Sequence, residues 1–479
     1  MAEGLKQKTV RGLIWSGVER LFGQIFSFVL AIFLARLLTP EDYGVIAIVT
    51  IFISVSGLFV DAGFANALVR KTDCTDIDRS TVLYFNIVVS IFMYAILYVC
   101  APFIAELYHN FELINLIRCT SLVIILNSFG IVQQSILTSR LDFKKLTPIT
   151  IFTSFVSGCI GIFLAYNNYG VWALVMQYIS AAVMRNILLC VIVRWRPLYI
   201  FSYESFKDLF GYSYRLMLSN LIIKGGNESI QLLMGKFFSV SNLGYYNYSK
   251  RIADFASMNI STTIQRVLFP AFSQVQHDNN KLLLAYQKSL ILSMTFIFPL
   301  MLIISTLSEP LVNILLTNEW MPIIPILRIT TLTMAFWPLL LFNINLLWVK
   351  KRSDLSFRLE VVGIAIKLLI VLSLFNFGLF EICIGFLVAT IVNFIVYAYF
   401  TSRIIHYGVF AQVSDVIKVF IKPCLSSIFT YYFVLPMLND NISKLVVGSI
   451  IITTITILQI IVFRGLEYQF LIYNYKHKK

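Results

Sequence analysis

Charge is scarce in this sequence: only 13% of its 479 residues are Asp, Glu, Lys or Arg, about half the share in soluble globular domains. That excludes an ordinary water-soluble enzyme or binding module. Histidine is scarcer still, with four residues in loops or the tail and none at metal-ligand spacing. Cys74, Cys100, Cys119, Cys159, Cys190, Cys383 and Cys424 stand singly, without a CxxC pair. They read as small apolar residues, so neither a metal centre nor a disulfide framework is expected. No GxxxxGK[ST] loop is present to cradle a nucleotide, and nothing suggests ATP drive. Long polar stretches are missing as well. The longest connection between apolar runs on the acid-rich side covers about 308–322, too short for a catalytic domain.

What the chain does have is apolar length. Hydrophobic residues make up 58% and the mean hydropathy is +0.82. Runs such as "VLYFNIVVSIFMYAILYVCAPFIA" and "KLVVGSIIITTITILQIIVF" recur from end to end, each able to cross a hydrocarbon layer of about 30 Å as a helix. The fold class is therefore an all-α polytopic membrane protein. About fourteen spans are expected, near 12–36, 44–68, 81–105, 113–138, 147–166, 170–193, 209–235, 244–270, 283–307, 323–349, 357–376, 381–402, 415–437 and 444–463. The first run is too long for a signal peptide and is expected to stay as a helix.

Charge placement orients these spans. Alternate loops collect Arg70, Lys71 and Arg79; Arg140, Lys144 and Lys145; Arg194, Arg196 and Lys207; and Lys350, Lys351 and Arg352, with further Lys and Arg at both ends of the chain. The opposite loops hold Arg36, Lys236 and Lys444 among Glu106, Glu112, Glu309, Glu319 and Asp440. Basic loops favour the cytoplasm, so both termini are expected there. Topology thus absorbs much of the net charge of +14. The basic residues are dispersed, and no nucleic-acid partner is expected.

The chain also repeats itself. "ARLLTPEDYG" ends at Gly44 and "GKFFSVSNLG" at Gly244, 200 residues later, with Arg36 on Lys236 and Thr39 on Ser239. Basic turns in "LTSRLDFKKL" and "LWVKKRSDLSFRL" follow the fourth helix of each half. This implies two six-helix lobes, 1–200 and 201–406, related as a parallel repeat, plus an extra helix pair and a basic cytoplasmic tail over 407–479. Transporters built this way bind substrate between the repeats.

Several charges fall inside expected spans, where each costs several kcal/mol. Glu19 and Arg20 lie in the first. Lys224 and Glu228 are one turn apart in the seventh, with Asn227 beside them and Gly225-Gly226 expected to loosen the helix. Lys250, Arg251 and Asp254 occupy the eighth, Arg185 the sixth and Lys367 the eleventh. Neighbouring acids and snorkelling account for part of this set. Pairing nonetheless leaves cationic charge over, which at that depth must face water or an anion. Asp61, near Asn66 and Arg70, closes a turn or salt-bridges a gate. Tyr43, Tyr108, Tyr166 and Tyr169, and also Tyr245, Tyr246 and Tyr248, read as interface belts.

Residues 35–71, "ARLLTPEDYGVIAIVTIFISVSGLFVDAGFANALVRK", resemble a known signature: an Ala-Arg-Leu-Leu-x-Pro-x-x-Tyr/Phe-Gly turn leading to Asp-x-Gly-x-x-x-Ala-Leu-Val-Arg. Asp61, Gly63, Ala67, Leu68, Val69 and Arg70 stand in those places. It is the signature of Wzx-type flippases, the polysaccharide transport branch of the multidrug/oligosaccharidyl-lipid/polysaccharide superfamily. In layout the resemblance covers the whole chain. It implies a bacterial inner-membrane protein that passes undecaprenyl-diphosphate-linked oligosaccharide from the cytoplasmic to the periplasmic leaflet by alternating access, for O-antigen, capsule or exopolysaccharide synthesis. It implies no cofactor, coupling to an H+ or Na+ gradient, and partners in the bilayer and the polysaccharide polymerase and assembly proteins. Arg20, Arg185, Lys224, Asn227, Arg251 and Lys367 would then line a cationic cavity for the diphosphate. Glu19, Asp61, Glu228 and Asp254 are candidates for coupling or gating, with Glu228 holding Lys224 when the site is empty. An ion-coupled multidrug antiporter of the same superfamily would instead line its cavity with carboxylates. A membrane glycosyltransferase or ligase would need a larger extramembrane domain, and no enzyme activity is expected.

Overall fold

The computed structural model describes residues 23–71, 73–140 and 142–470, with the side chains of 262, 263, 266 and 267 outside the description. Every regular element among the described residues is a helix. Contacts group the chain into two compact units, Met1–Gly244 and Tyr245–Lys479.

The first unit begins with α1 (Gly23–Leu37). It continues through α2 (Pro40–Asp61), α3 (Phe64–Arg70), α4 (Asp76–Leu107), α5 (Glu112–Thr120), α6 (Leu122–Ser139), α7 (Phe143–Tyr166) and α8 (Val171–Val193). After α9 (Tyr203–Asn220), a π-helical turn (Leu221–Gly225) leads into α10 (Gly226–Phe237). Helix α11 (Val240–Gln274) carries the chain into the second unit. There follow α12 (Asn279–Thr306), α13 (Ser308–Leu315), α14 (Ile323–Val349), α15 (Ser353–Leu374), α16 (Leu379–Ile405), α17 (Val409–Phe429) and α18 (Asn441–Phe463). The connection expected at 308–322 is thus itself structured, by α13 and a 3-10 turn (Asn318–Trp320) that buries Trp320.

Among the described residues, ten helical stretches are long and apolar enough to cross a membrane, and Gly23–Leu37 is a shorter apolar one. The chain is therefore a multi-pass membrane protein. Three further stretches lie where spans are expected but are not among those ten: α9 to α10, α11 and α15. These are the helices that carry Lys224 and Glu228, Lys250 to Asp254, and Lys367. A helix facing only lipid could not hold such charges cheaply, so these three need water or protein beside them.

Each unit has its own apolar core. In the first, Phe64, Leu68, Val82, Val132, Ile136 and Leu209 pack together, joining α3, α4, α6 and α9. In the second, Tyr286, Met294, Phe298, Leu339, Phe342 and Phe394 join α12, α14 and α16. Buried Glu467, just after α18, pairs with Lys422 on α17 and ties the chain end to the helix pair.

The repeat is visible in backbone geometry. The Leu38 N–H donates to the Leu34 carbonyl at 2.9 Å and the Phe238 N–H to the Met234 carbonyl at 3.0 Å. Thr39 Oγ1 then accepts from the Asp42 N–H at 3.2 Å, and Ser239 Oγ accepts from the Asn242 N–H at 3.2 Å. Both are N-caps that satisfy an otherwise orphaned donor of the next helix. Every partner in one set has its counterpart 200 positions on. The two turns also touch each other. A Cβ added to Gly44 would overlap the Val240 carbonyl, and a Cβ added to Gly244 would overlap the Pro40 carbonyl. Pro40 and Val240 are again 200 apart. By sequence α9 and α10 open the second repeat; by packing they lie against α2, α3 and α4 in the first unit.

Candidate functional site

The Gly225-Gly226 pair sits where the helix changes register. Two glycines leave little side-chain packing to hold the regular ladder, and the chain takes a π turn over Leu221–Gly225. A π turn adds a residue to one turn, which rotates everything before it relative to everything after by about 100°. Lys224 lies within this turn and Glu228 in the α-helix that follows it.

Glu228 does not hold Lys224. Its Oε1 accepts from Ser54 Oγ of α2 at 3.1 Å, and its Oε2 accepts from Gln231 Nε2 at 3.0 Å. The expected Lys224–Glu228 pair is corrected on this point: neutral donors on the inner face have taken the carboxylate. Lys224 is exposed and makes no hydrogen bond or ion pair among the described residues. Asn227, also exposed, donates from Nδ2 to the Ile223 carbonyl at 2.8 Å, bracing the π turn.

Asp61 ends α2, where Ala62 (φ 43°) and Gly63 (φ 81°) turn left-handed before α3. Its Oδ1 accepts the Ala65 N–H at 3.1 Å, closing the break. Only glycine suits position 63, since a Cβ there would lie 2.9 Å from the Ser213 carbonyl oxygen of α9. Arg70 stacks on the Tyr212 ring at 4.1 Å rather than pairing with Asp61. On α8, Arg185 is exposed and donates to Gln134 Oε1 of α6 at 2.7 Å. Glu19 and Arg20 lie outside the described residues.

The second unit carries its own charged group. Lys250 Nζ lies 2.7 Å from Asp254 Oδ2, one turn along α11. Arg251, adjacent in sequence, is exposed. Lys367 on α15 is half-buried and makes no hydrogen bond or ion pair among the described residues. The charges acting on it are Lys250, which repels it, and Glu360, two turns away on its own helix.

The tyrosines need correction too. Tyr43 is buried and donates to the Ala31 carbonyl at 3.3 Å, and Tyr108 is buried and donates to the Leu232 carbonyl at 3.0 Å. Tyr246 and Tyr248 are buried, the latter 4.7 Å from the Trp320 ring. Apolar neighbours closed over these rings, so they pin helices together; Tyr166 and Tyr169 do stay exposed. All seven cysteines are free, and no metal-holding group of His, Cys, Asp or Glu occurs among the described residues.

Sequence reasoning overlooked Ser54, Gln134, Gln231 and Glu360. Gln231 and Glu360 could have been found from helical spacing, three residues from Glu228 and seven from Lys367. Ser54 and Gln134 meet their partners across 174 and 51 residues, which no local pattern reports.

Comparison with known proteins places this geometry. A family model described as "Polysaccharide biosynthesis protein" matches residues 33–325. The teichuronic acid biosynthesis protein TuaB of Bacillus subtilis (strain 168) is 23% identical over 423 residues, 87% of each chain. The succinoglycan biosynthesis transport protein ExoT of Rhizobium meliloti (strain 1021) is 26% identical over 334 residues, 70% of this chain and 68% of that protein. Among solved structures, the lipid II flippase MurJ in its inward closed conformation superposes with a TM-score of 0.76 at 14% identity, covering 94% of this chain and 99% of that one. The all-helical fold is common to both.

Proposed function

Because this chain belongs to the polysaccharide biosynthesis protein family and is a multi-pass membrane protein, we propose that it is a transporter of the flippase type, moving a polyprenyl-diphosphate-linked oligosaccharide from the cytoplasmic to the periplasmic leaflet of a bacterial inner membrane. Both termini lie on the cytoplasmic side in this reading, and the cycle is one of alternating access. The product feeds a cell-surface polysaccharide, and the polymerase and assembly proteins of that pathway are its partners.

The observation that carries the reading is Lys224. It is an exposed cation inside a stretch expected to span the membrane, and the acid that could have neutralised it is engaged by Ser54 and Gln231. A lone ammonium at that depth is costly unless an anion or water meets it. A diphosphate supplies the charge and several acceptor oxygens. Lys367, half-buried in the second unit, is another cation with no hydrogen bond or ion pair among the described residues. Arg251, Arg185 and Arg20 complete the proposed cationic lining, with Asn227 as a polar contact to the head group. Glu228, held among the described residues by the neutral donors Ser54 and Gln231, is the carboxylate we assign to H+ or Na+ coupling, ahead of Glu19, Asp61 and Asp254. No catalytic step is proposed.

In cells deleted for their own transporter of this class, the chain should relieve the build-up of lipid-linked oligosaccharide at the cytoplasmic face. Persistent build-up at matched expression, tested with repeat units from several pathways, would count against the reading.

A further inference from the structure

The segment joining α8 to α9 has no role in the transport reading, yet it is built with care. Its residues 194–202 are irregular and leave Leu198, Tyr199, Ile200 and Phe201 exposed in succession, with Tyr203 beyond them. Tyr199 is 99% exposed and Tyr203 72%. This is not slack chain. The Leu198 N–H donates to Ser80 Oγ at 2.8 Å, the Ser202 N–H to Thr81 Oγ1 at 3.1 Å, and Tyr84 donates to the Leu198 carbonyl at 3.0 Å. Trp195 Nε1 donates to Asp76 Oδ1 at 3.0 Å. The start of α4 therefore grips one edge of the segment and turns the apolar side chains outward.

Depth follows from the backbone. The segment begins directly after Val193, the last residue of an apolar helix long enough to cross the membrane. Irregular backbone exposed to lipid is not tolerated in the hydrocarbon layer, where its polar groups would go unpaired. The segment must therefore sit at the membrane–water boundary, where tyrosine and other amphipathic aromatics accumulate.

Charge specifies the surface. Arg194, Arg196 and Lys207 flank the strip, are exposed, and form no ion pair among the described residues. The nearby acids are mostly occupied: Asp76 by Arg79 at 2.7 Å and Asp208 by Lys71 at 3.1 Å, which leaves Glu204. We propose that residues 194–203, together with Lys207, form a binding strip for anionic phospholipid: Leu198, Tyr199, Ile200 and Phe201 enter the boundary between head groups and acyl chains, while Arg194, Arg196 and Lys207 select negatively charged head groups. The strip does not depend on what the protein transports.

The test places photoreactive p-benzoylphenylalanine at Tyr199 in the full chain, in nanodiscs of equimolar phosphatidylglycerol and phosphatidylcholine. Irradiation should give lipid adducts that favour phosphatidylglycerol by about threefold. In the Arg194→Gln/Arg196→Gln/Lys207→Gln background the adducts should persist but with the two lipids near parity. Absence of any lipid adduct would overturn the proposal by placing the strip in water. Equal labelling of both lipids with the three cations intact would overturn the charge selection. An adduct to a second polypeptide in whole membranes would make the strip a protein interface instead.

Discussion

Replacing Lys224 by alanine is expected to lower transport of the lipid-linked oligosaccharide by about tenfold to a hundredfold, the loss of one charge-assisted contact of about 1.5–3 kcal/mol. Folding should hardly notice. Lys224 has no hydrogen bond or ion pair to lose among the described residues, and substitutions at such positions usually stay within about 0.5 kcal/mol. Thermal unfolding in detergent should therefore be nearly that of the parent. Lys224→Arg keeps the charge and should retain most activity, while Lys224→Gln should resemble alanine. This separation of transport from stability is what distinguishes a substrate cation from a structural one. A large fall in Tm, or full transport by the alanine variant, would place Lys224 among the paired, packing charges.

Gly44→Ala should be severely damaging, and Gly57→Ala should not. Both glycines lie in α2, so helix propensity favours alanine at each by up to about 1 kcal/mol. A Cβ at Gly57 meets nothing within 4 Å, whereas at Gly44 it would overlap the Val240 backbone carbonyl. A backbone atom cannot step aside as a side chain can, so the starts of α2 and α11 would have to separate. Overpacking of this sort costs about 1–3 kcal/mol, occasionally more. Gly244→Ala meets the Pro40 carbonyl in the same way and should reproduce the defect. A lowered Tm and lost transport for residues 44 and 244, against parental values for 57, is the expected pattern. Equal behaviour of all three variants would remove the reciprocal contact from the structure's essential features.

How far the sequence anticipates this molecule depends on the range of the interaction. Apolar length marks the membrane helices because each helix satisfies its own backbone, leaving composition to report the surroundings. The 200-residue offset of the repeat is legible because caps and glycines are local: Thr39 and Ser239 cap the next helix through residues three positions on. The loosening at Gly225-Gly226 is also local, and it emerges as the π turn. What the sequence hides is who partners whom across helices. Lys224 and Glu228 stand at ideal helical spacing, yet Ser54 arrives from α2 and Gln231 from the next turn to take the carboxylate. Lys250 and Asp254, in an unbroken helix, do pair as spaced. Tyr43 and Tyr108 lie near helix ends like belt residues, but helix packing covers them.

The most direct measurement uses the purified chain in proteoliposomes loaded with a polyprenyl-diphosphate oligosaccharide that carries a fluorescent sugar. Its transfer between leaflets is followed with a membrane-impermeant quencher. The protein should speed transfer well above protein-free vesicles, transfer should fall with Lys224→Ala, and a polyprenol-linked sugar lacking the diphosphate should move poorly. Transfer no faster than in empty vesicles, together with ion-driven movement of organic cations by the same preparation, would contradict the flippase assignment.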